Sequence, residues 1–286
     1  MTDLPIVAVL GAGIMANAVA KVLDAHGYPL RRYNRTPAAI EGPAVACASA
    51  AQAAEGAGVV WSFVHNDEAS RASWFGPRGA LASVTGGIVI ESSTLSPRAA
   101  DAWMERAASA GAHPVLAAVT GSRVGVENGT LLAFAAGSTT AMHLAEALLS
   151  VVACEVLHFD RAADAAAAKL LNNALAATIL TALSETLTAA SAFGLDQRQL
   201  IEAWSRYGWA APVTSAYGEA MHGGAHRLTD CSLRVIAKDL RYLRSAFDTP
   251  VPPLIEATAA RFAHADAAGL GDYEMSAISE SDWGTS

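Results

Sequence analysis

Ile6-Val-Ala-Val-Leu10 runs directly into Gly11-Ala-Gly13-Ile-Met-Ala16, and the reading of this stretch decides the fold. The apolar, β-branched run forms a short strand. A helical spacing follows in Val19, Val22 and Leu23 and ends near Gly27. A strand, a G-x-G-x-x-A turn and a helix in that order make a dinucleotide fingerprint. Gly11 allows the tight turn, Gly13 lets backbone approach a pyrophosphate, and a small third residue lets the helix pack on the strand. Phosphates then rest on the N–H groups of the helix start, within Gly11-Ala12-Gly13-Ile14-Met15. The competing reading is an ordinary glycine-rich turn, and the strand–turn–helix setting weighs against it.

Outward from that turn, the next strand covers Leu30 to Tyr33 and ends in Asn34-Arg35-Thr36. An NAD site places an acid here for the ribose 2′-OH. No carboxylate is present, whereas Arg35 and Thr36 suit a 2′-phosphate, so NADP(H) is the expected cofactor. Arg31 and Arg32 add positive charge nearby or are simply solvated. Further strand candidates are Gly42–Ala46, Val59–Val64, Gly87–Glu91, Pro114–Val119, Leu131–Ala136 and Val156–Phe159. Helical segments alternate with them at Ser49–Ala57, Asp67–Phe75, Pro97–Gly111 and Thr140–Val151. The alternation predicts an α/β fold, with a parallel, doubly wound Rossmann-type sheet over residues 1–163.

From Ala162 to about Leu195 the chain has no Pro, and no Gly before Gly194. Ala and Leu dominate, and a helix of that length reaches roughly 50 Å. Its leucines leave no wide polar face, so burial on most sides is expected. Lys169, Asn172 and Asn173 sit in its apolar first half, on one face by their spacing of three and four. A buried Lys has a partner or a task; the alternative is an ammonium that snorkels to solvent. Past this helix, Asp196–Trp204, Val235–Phe247 and Pro253–Ala267 read as helical, and β signals fade. The long helix therefore links the sheet to an all-α domain over residues 164–286. The tail Glu280–Ser286 is expected to fray.

The 286 residues are 52% hydrophobic and 16% charged, a globular composition with room for two domains. A net charge of −8 without basic runs argues against nucleic acid as a partner. Cys47, Cys154 and Cys231 form no paired framework, which fits a reducing compartment. No basic leader precedes Ile6, and the one stretch long enough to span a bilayer carries Lys169 and two Asn, so a soluble, cytoplasmic chain is expected. The histidines lack metal-ligand spacing, and no metal is expected. Trp204, Tyr207 and Trp209 read as core or pocket wall.

Taken together, the motifs resemble the β-hydroxyacid dehydrogenases related to 3-hydroxyisobutyrate dehydrogenase, and among them the glyoxylate/succinic semialdehyde reductase branch. Gly11-Ala-Gly-Ile-Met15 and Asn34-Arg-Thr36 look like the family's cofactor motifs. Glu91-Ser-Ser-Thr-Leu-Ser-Pro97 resembles its D-x-S-T-x-S-P, and Ala118-Val-Thr-Gly-Ser-Arg123 its A-P-V-S-G-G/S substrate loop. Lys169-Leu-Leu-Asn-Asn173 matches K-x-x-N-N, Lys238-Asp-Leu240 a late K-D-L, and Gly271-Asp-Tyr-Glu-Met-Ser-Ala277 the closing G-x-x-D-x-S-A. The resemblance covers almost the whole chain.

The resemblance implies an NADP-dependent enzyme passing hydride between nicotinamide and a small carbonyl or hydroxy acid. Lys169 would be the general acid for reduction and the base for oxidation; desolvation lowers a lysine's pKa toward the working pH, as proton transfer requires. Asn173 would orient Lys169 or the substrate. Thr120, in place of the family's Ser, would bind substrate beside Gly121 and Ser122, with Arg123 as a candidate carboxylate clamp. Val64, His65 and Thr94 would line the nicotinamide. Lys238 would close over cofactor and substrate, or else pair locally with Asp239. The family associates through its long helix, which implies a homodimer or higher homo-oligomer.

Departures from the pattern are equally specific. Asp160–Ala168 lacks the Gly-rich turn that usually precedes the catalytic helix, Ala118 replaces Pro, and Ala16 replaces the commoner Gly. Cys231 stands where the semialdehyde branch tends to carry an aromatic, which would reshape the pocket. Two other readings compete. An imine reductase of the same fold usually lacks Lys at this helix position, and a non-catalytic NADP-binding interaction module tends to lose it.

Overall fold

A computed structural model describes residues 4–42 and 44–281. The expected fraying of the tail falls largely on residues 282–286, outside the described residues. By its internal contacts the chain divides into two compact units, Met1–Lys169 and Leu170–Ser286.

The first unit holds the strands β1 (Val7–Leu10), β2 (Leu30–Tyr33), β3 (Val45–Ala46), β4 (Val59–Ser62), β5 (Ile88–Glu91), β6 (His113–Thr120), β7 (Leu131–Gly137) and β8 (Ala153–Phe159). They form one sheet in the order β3-β2-β1-β4-β5-β6-β7-β8. Between them run α1 (Ile14–Ala25), α2 (Ala50–Ala54), α3 (Asp67–Trp74), α4 (Pro97–Ser109), α5 (Ser122–Glu127) and α6 (Thr139–Val152). Strands β3 to β6 pair in parallel around β1, so their carboxyl ends share one sheet edge. Strand β1 is buried at every position, as a strand covered by helices on both faces must be. One core under α1, α5 and α6 is built on Val7, Val9, Trp61, Val115 and Leu131. The opposite core lies under α2, α3 and α4, around Ala8, Leu10, Val60, Trp74 and Trp103.

The expectation of an all-parallel sheet is corrected at one place. Strands β6 and β7 are antiparallel, while β7 and β8 are parallel again. Only the short α5 and its turns, residues 121–130, join β6 to β7. A parallel crossover needs about a dozen residues or more, with a helix long enough to recross the sheet. Sequence alternation did not expose this reversal, nor α5 itself, whose single turn and a half contains Gly125.

Helix α7 (Ala162–Ala192) begins in the first unit and continues into the second. Its length and apolarity alone would allow it to cross a membrane, and half of that apolar window is buried inside the protein. The second unit adds α8 (Gln197–Arg206), α9 (Ala211–Gly223), α10 (Leu233–Ser245) and α11 (Pro253–Ala265). Leu170, Ala174, Ala177, Leu180, Ile236, Leu240 and Phe262 fill its core. Helix α9 escapes a sequence reading because Pro212 and Gly218 interrupt it. A Cβ on Gly218 would lie 2.9 Å from the Ile201 side chain, so the glycine allows α9 to close on α8. Trp204 packs on this core, whereas Tyr207 and Trp209 are exposed, which corrects the core half of their core-or-pocket-wall reading.

Candidate functional site

The turn after β1 has two glycines with different reasons to be there. Gly11 sits at φ +114°, and a Cβ on it would come within 2.1 Å of the Phe63 carbonyl oxygen. It is glycine because the chain leaving β4 passes against it. Gly13 has an ordinary φ of −74°, and a Cβ there would meet nothing within 4 Å. Gly13 begins α1 with no side-chain cap and no acid in the first turn. By contrast α2, α3, α4 and α6 are capped by Ser49, Asn66, Ser96 and Ser138. Open space in front of uncapped N–H groups on a helix of three turns suits a bound phosphate, so the residues present fit a dinucleotide. Ala12, Ile14 and Met15 are half-buried around this opening, and small Ala16 is buried against the sheet.

Asn34, Arg35 and Thr36 follow β2 on the same sheet edge. The Asn34 amide donates to the Thr36 carbonyl and shapes the turn, while the Arg35 and Thr36 side chains are exposed. Arg32 is neither near-surface charge nor solvated. It is fully buried, with its guanidinium on the Gly11 carbonyl oxygen at 2.9 Å.

At the exits of β4 and β5 the Glu91–Pro97 motif braces one loop against another. Ser93 Oγ accepts the Val64 N–H at 2.7 Å, and Ser92 Oγ accepts the Trp61 indole N–H while donating to the Ala117 carbonyl. Ser96 caps α4 and also binds both carboxylate oxygens of Asp67. Glu91 does not face a ligand. It is fully buried, and its carboxylate accepts from Ser70 Oγ at 2.5 Å, Trp74 Nε1 at 2.7 Å and the Ser93 N–H at 2.8 Å. Burial pushes its carboxyl above the ordinary range, and those donors pull it part of the way back. Val64 and Thr94 are half-buried and His65 is exposed along the same edge.

Strand β6 ends at Thr120, and the turn into α5 has two residues in left-handed conformations. Gly121 lies at φ +127° and Ser122 at φ +62°, the one side-chain-bearing residue with positive φ among those described. Arg123 points along its own helix, with Nη1 2.7 Å from Glu127 Oε1. That i,i+4 pair is its contact in this structure, so its clamp role requires it to leave Glu127.

Lys169 is 8% exposed, so most of its side chain is buried. Asn173 stands one turn further along α7 and is buried as well. In the second unit, Asn173 Nδ2 donates to Asp239 Oδ2 at 2.6 Å, and Lys238 Nζ lies 2.9 Å from Asp239 Oδ1. Lys238 and Asp239 are both buried, so their pair is not a solvated helix contact. Asp239 thus joins Asn173 to Lys238; the sequence reading named it only as a local partner of Lys238 and had no signal for its bond to Asn173, sixty-six residues away. Cys231 is half-exposed, and its N–H donates to Glu274, whose buried carboxylate also gathers the N–H groups of Thr229 and Asp230. Burial and the negative charges of Glu274 and Asp230 push the Tyr217 hydroxyl up to about 12. Among the described residues no group of three His, Cys, Asp or Glu side chains is placed to hold a metal ion.

Comparison with known proteins identifies the family. Residues 6–160 match the family model of the NAD binding domain of 6-phosphogluconate dehydrogenase. Residues 163–281 match that of the NAD-binding domain of NADP-dependent 3-hydroxyisobutyrate dehydrogenase. The chain is 28% identical to the NAD-dependent L-serine dehydrogenase of Pseudomonas aeruginosa over 84% of each protein. It is 30% identical to the 3-hydroxyisobutyrate dehydrogenase of the same organism, over 71% of this chain and 68% of the relative. Its fold is shared with Mycobacterium tuberculosis 3-hydroxyisobutyrate dehydrogenase bound to L-serine, at a TM-score of 0.83 and 24% identity, covering 97% of this chain and 98% of that one. With matched models running from the first strand to the last described turn, the chain belongs to the β-hydroxyacid dehydrogenases of the 3-hydroxyisobutyrate dehydrogenase type, NAD(P)-dependent oxidoreductases.

Proposed function

We propose that this chain uses NADP(H) to interconvert a small carbonyl acid and its β- or γ-hydroxy acid, with Lys169 as the general acid and base. The observation that carries the reading is an 8%-exposed lysine in an apolar helix, one turn from a buried Asn. Bound NADPH supplies the hydride. The Thr120 hydroxyl and the N–H groups after it bind the substrate's carboxylate or carbonyl. Lys169 gives its proton to the carbonyl oxygen as that oxygen gains charge, and takes it back when an alcohol is oxidised. Asn173, held by Asp239, limits the rotation of the helix face that carries Lys169. Arg35 and Thr36, with no acid at that strand end, support NADP(H) over NAD(H).

The test is Lys169→Ala, assayed on L-serine, L-threonate, 3-hydroxyisobutyrate, glyoxylate, succinic semialdehyde and a cyclic imine. Loss of the general acid lowers kcat about 10²- to 10⁴-fold, with NADPH binding by fluorescence titration retained. Undiminished turnover overturns the role of Lys169. Preferred turnover of the imine overturns the substrate class, and NADPH binding without turnover of any carbonyl marks a non-catalytic module.

A homodimer belongs to the same reading. Leu171, Leu175 and Ile179 lie along one face of α7 and are 48%, 63% and 37% exposed. Large apolar side chains at i, i+4 and i+8 form a stripe of the kind a second copy covers. Light scattering at working concentration is expected to give twice the mass of one chain; a monomer overturns it.

A further inference from the structure

We propose that Arg32, acting with Asn17, is a positioning residue that locks the phosphate-binding turn to the segment reading the adenosine ribose and thereby sets the preference for NADPH over NADH. The inference rests on the NADP(H) reading above and extends it to residues that need not touch the cofactor.

Strand β2 alternates buried and half-buried positions, and Arg32 occupies a buried one where an aliphatic side chain would be expected. Its guanidinium is fully enclosed. Nη2 donates to the Gly11 carbonyl at 2.9 Å and to Asn17 Oδ1 at 2.8 Å, and Nη1 reaches the Glu41 carbonyl at 3.4 Å. Asn17 Nδ2 in turn donates to the carbonyls of Ala12 and Ala39, each at 3.2 Å. Two adjacent side chains thus hold four backbone carbonyls, two from the dinucleotide turn and two from the segment after Asn34-Arg35-Thr36.

Peptide geometry gives those contacts a direction. In a trans peptide the carbonyl of one residue and the N–H of the next point oppositely. Pulling the Gly11 and Ala12 carbonyls inward turns the N–H groups of Ala12 and Gly13 outward, where a pyrophosphate lies. Pulling the Ala39 and Glu41 carbonyls to the same centre fixes the path of the loop that carries Arg35 and Thr36. Burial depresses the guanidinium's pKa, and the Glu41 carboxylate offsets part of that. The group stays cationic at neutral pH because an arginine begins so far above it. A buried positive charge is little screened by salt, so it favours the anionic phosphates in front of it under all ordinary conditions.

The experiment compares wild type with Arg32→Met, Arg32→Lys, Asn17→Ala and Arg35→Ala. It measures KM and kcat for NADPH and NADH and thermal unfolding of each variant. Arg32→Met is expected to raise KM for NADPH about tenfold to a hundredfold, the scale of lost charged hydrogen bonds. KM for NADH should rise too, because both cofactors share the pyrophosphate turn, but by less, since only NADPH also uses the Arg35–Thr36 loop held through Ala39 and Glu41, with kcat changing less than KM. Arg32→Lys restores part of the preference by returning the charge, and Asn17→Ala moves the ratio in the same direction as Arg32→Met. Arg35→Ala gives the reference loss for direct contact. If Arg32→Met does not fold, Arg32→Lys and Asn17→Ala carry the same comparison. Variants that unfold earlier yet keep the wild-type NADPH-to-NADH ratio overturn the positioning role and leave the NADP(H) reading intact. A wild type without preference for NADPH overturns the NADP(H) reading itself.

Discussion

Helices α1 and α7 both start just past the carboxyl end of a strand, in runs of small residues, and they treat their first N–H groups in opposite ways. Helix α1 opens on Gly13 with no side-chain cap and open space in front of it. At α7 the Ala163 N–H is taken by Asp101 Oδ1 at 2.8 Å, and Asp101 Oδ2 also holds Arg161 at 2.6 Å. Ala162, Ala165 and Ala166 are then buried in the core beneath α4. Where relatives carry a glycine-rich turn, this chain has an internally satisfied, packed helix start. The difference teaches that a small-residue run at a strand end is a ligand cradle only when the protein leaves its N–H groups unspent.

The strongest way to break the comparison lies in the α1 turn itself, where the two glycines should respond differently. Gly11→Ala forces a Cβ to within 2.1 Å of a backbone oxygen at φ +114°. That combination of strain and overlap is expected to cost about 4 kcal/mol or more, lowering Tm by roughly 10 °C. Gly13→Ala places its methyl in open space at a permitted φ. Stability should fall by no more than about 1 kcal/mol, the difference between Gly and Ala as a cap. NADPH binding should weaken about tenfold to a hundredfold as the methyl occupies the space of a phosphate, a loss of roughly 1.4–2.8 kcal/mol. Equal stability losses at the two positions, with binding intact in Gly13→Ala, would show that the turn is merely structural.

How much of this was legible follows from what each feature depends on. The strand–turn–helix at Ile6–Ala16 was readable because local periodicity and glycine spacing define it, and α7 because thirty-one residues without a breaker leave little alternative. The antiparallel turn of β7 was not readable, since it follows from the length of the link rather than from any pattern within the strand. Arg32 was read as a nearby or solvated charge for a related reason. A charge in a strand looks exposed by composition, and only the tertiary fold supplies the carbonyls and N–H groups that make its burial tolerable. Asp101 shows the same limit from the other side: sixty residues before α7, it caps that helix, and no local signal connects them.

Removing that cap sharpens the comparison. Asp101→Ala leaves the Ala163 N–H without its acceptor and is expected to lower stability by about 1 kcal/mol, or roughly 3 °C in Tm. The exposed pair with Arg161 adds little. Because the α7 start is used internally, KM for NADPH should stay at the wild-type value. A cofactor defect as large as that of Gly13→Ala would mean that both helix starts serve the ligand, and the distinction between them would fail.

A third helix start, that of α5, sets the smallest expected effect. Gly121 and Ser122 both take positive φ there, and the family's A-P-V-S-G-G/S pattern admits either glycine or serine where Ser122 stands. The left-handed conformation costs a side-chain-bearing residue about 1 kcal/mol. Glycine removes that cost but adds unfolded-state entropy of about 0.4–1 kcal/mol. Ser122→Gly should therefore change stability by less than about 0.5 kcal/mol, a Tm shift of under roughly 2 °C. Ser122→Val, with a β-branched side chain forced to the same φ, should lose about 1–2 kcal/mol. If Ser122→Gly is neutral in the melt yet raises KM for the carbonyl substrate several-fold, the hydroxyl is held in a strained turn for the substrate. In that case α5 joins α1 as a helix start left open for a ligand. If KM is unmoved as well, the serine serves the turn alone, and α1 stands alone against α7.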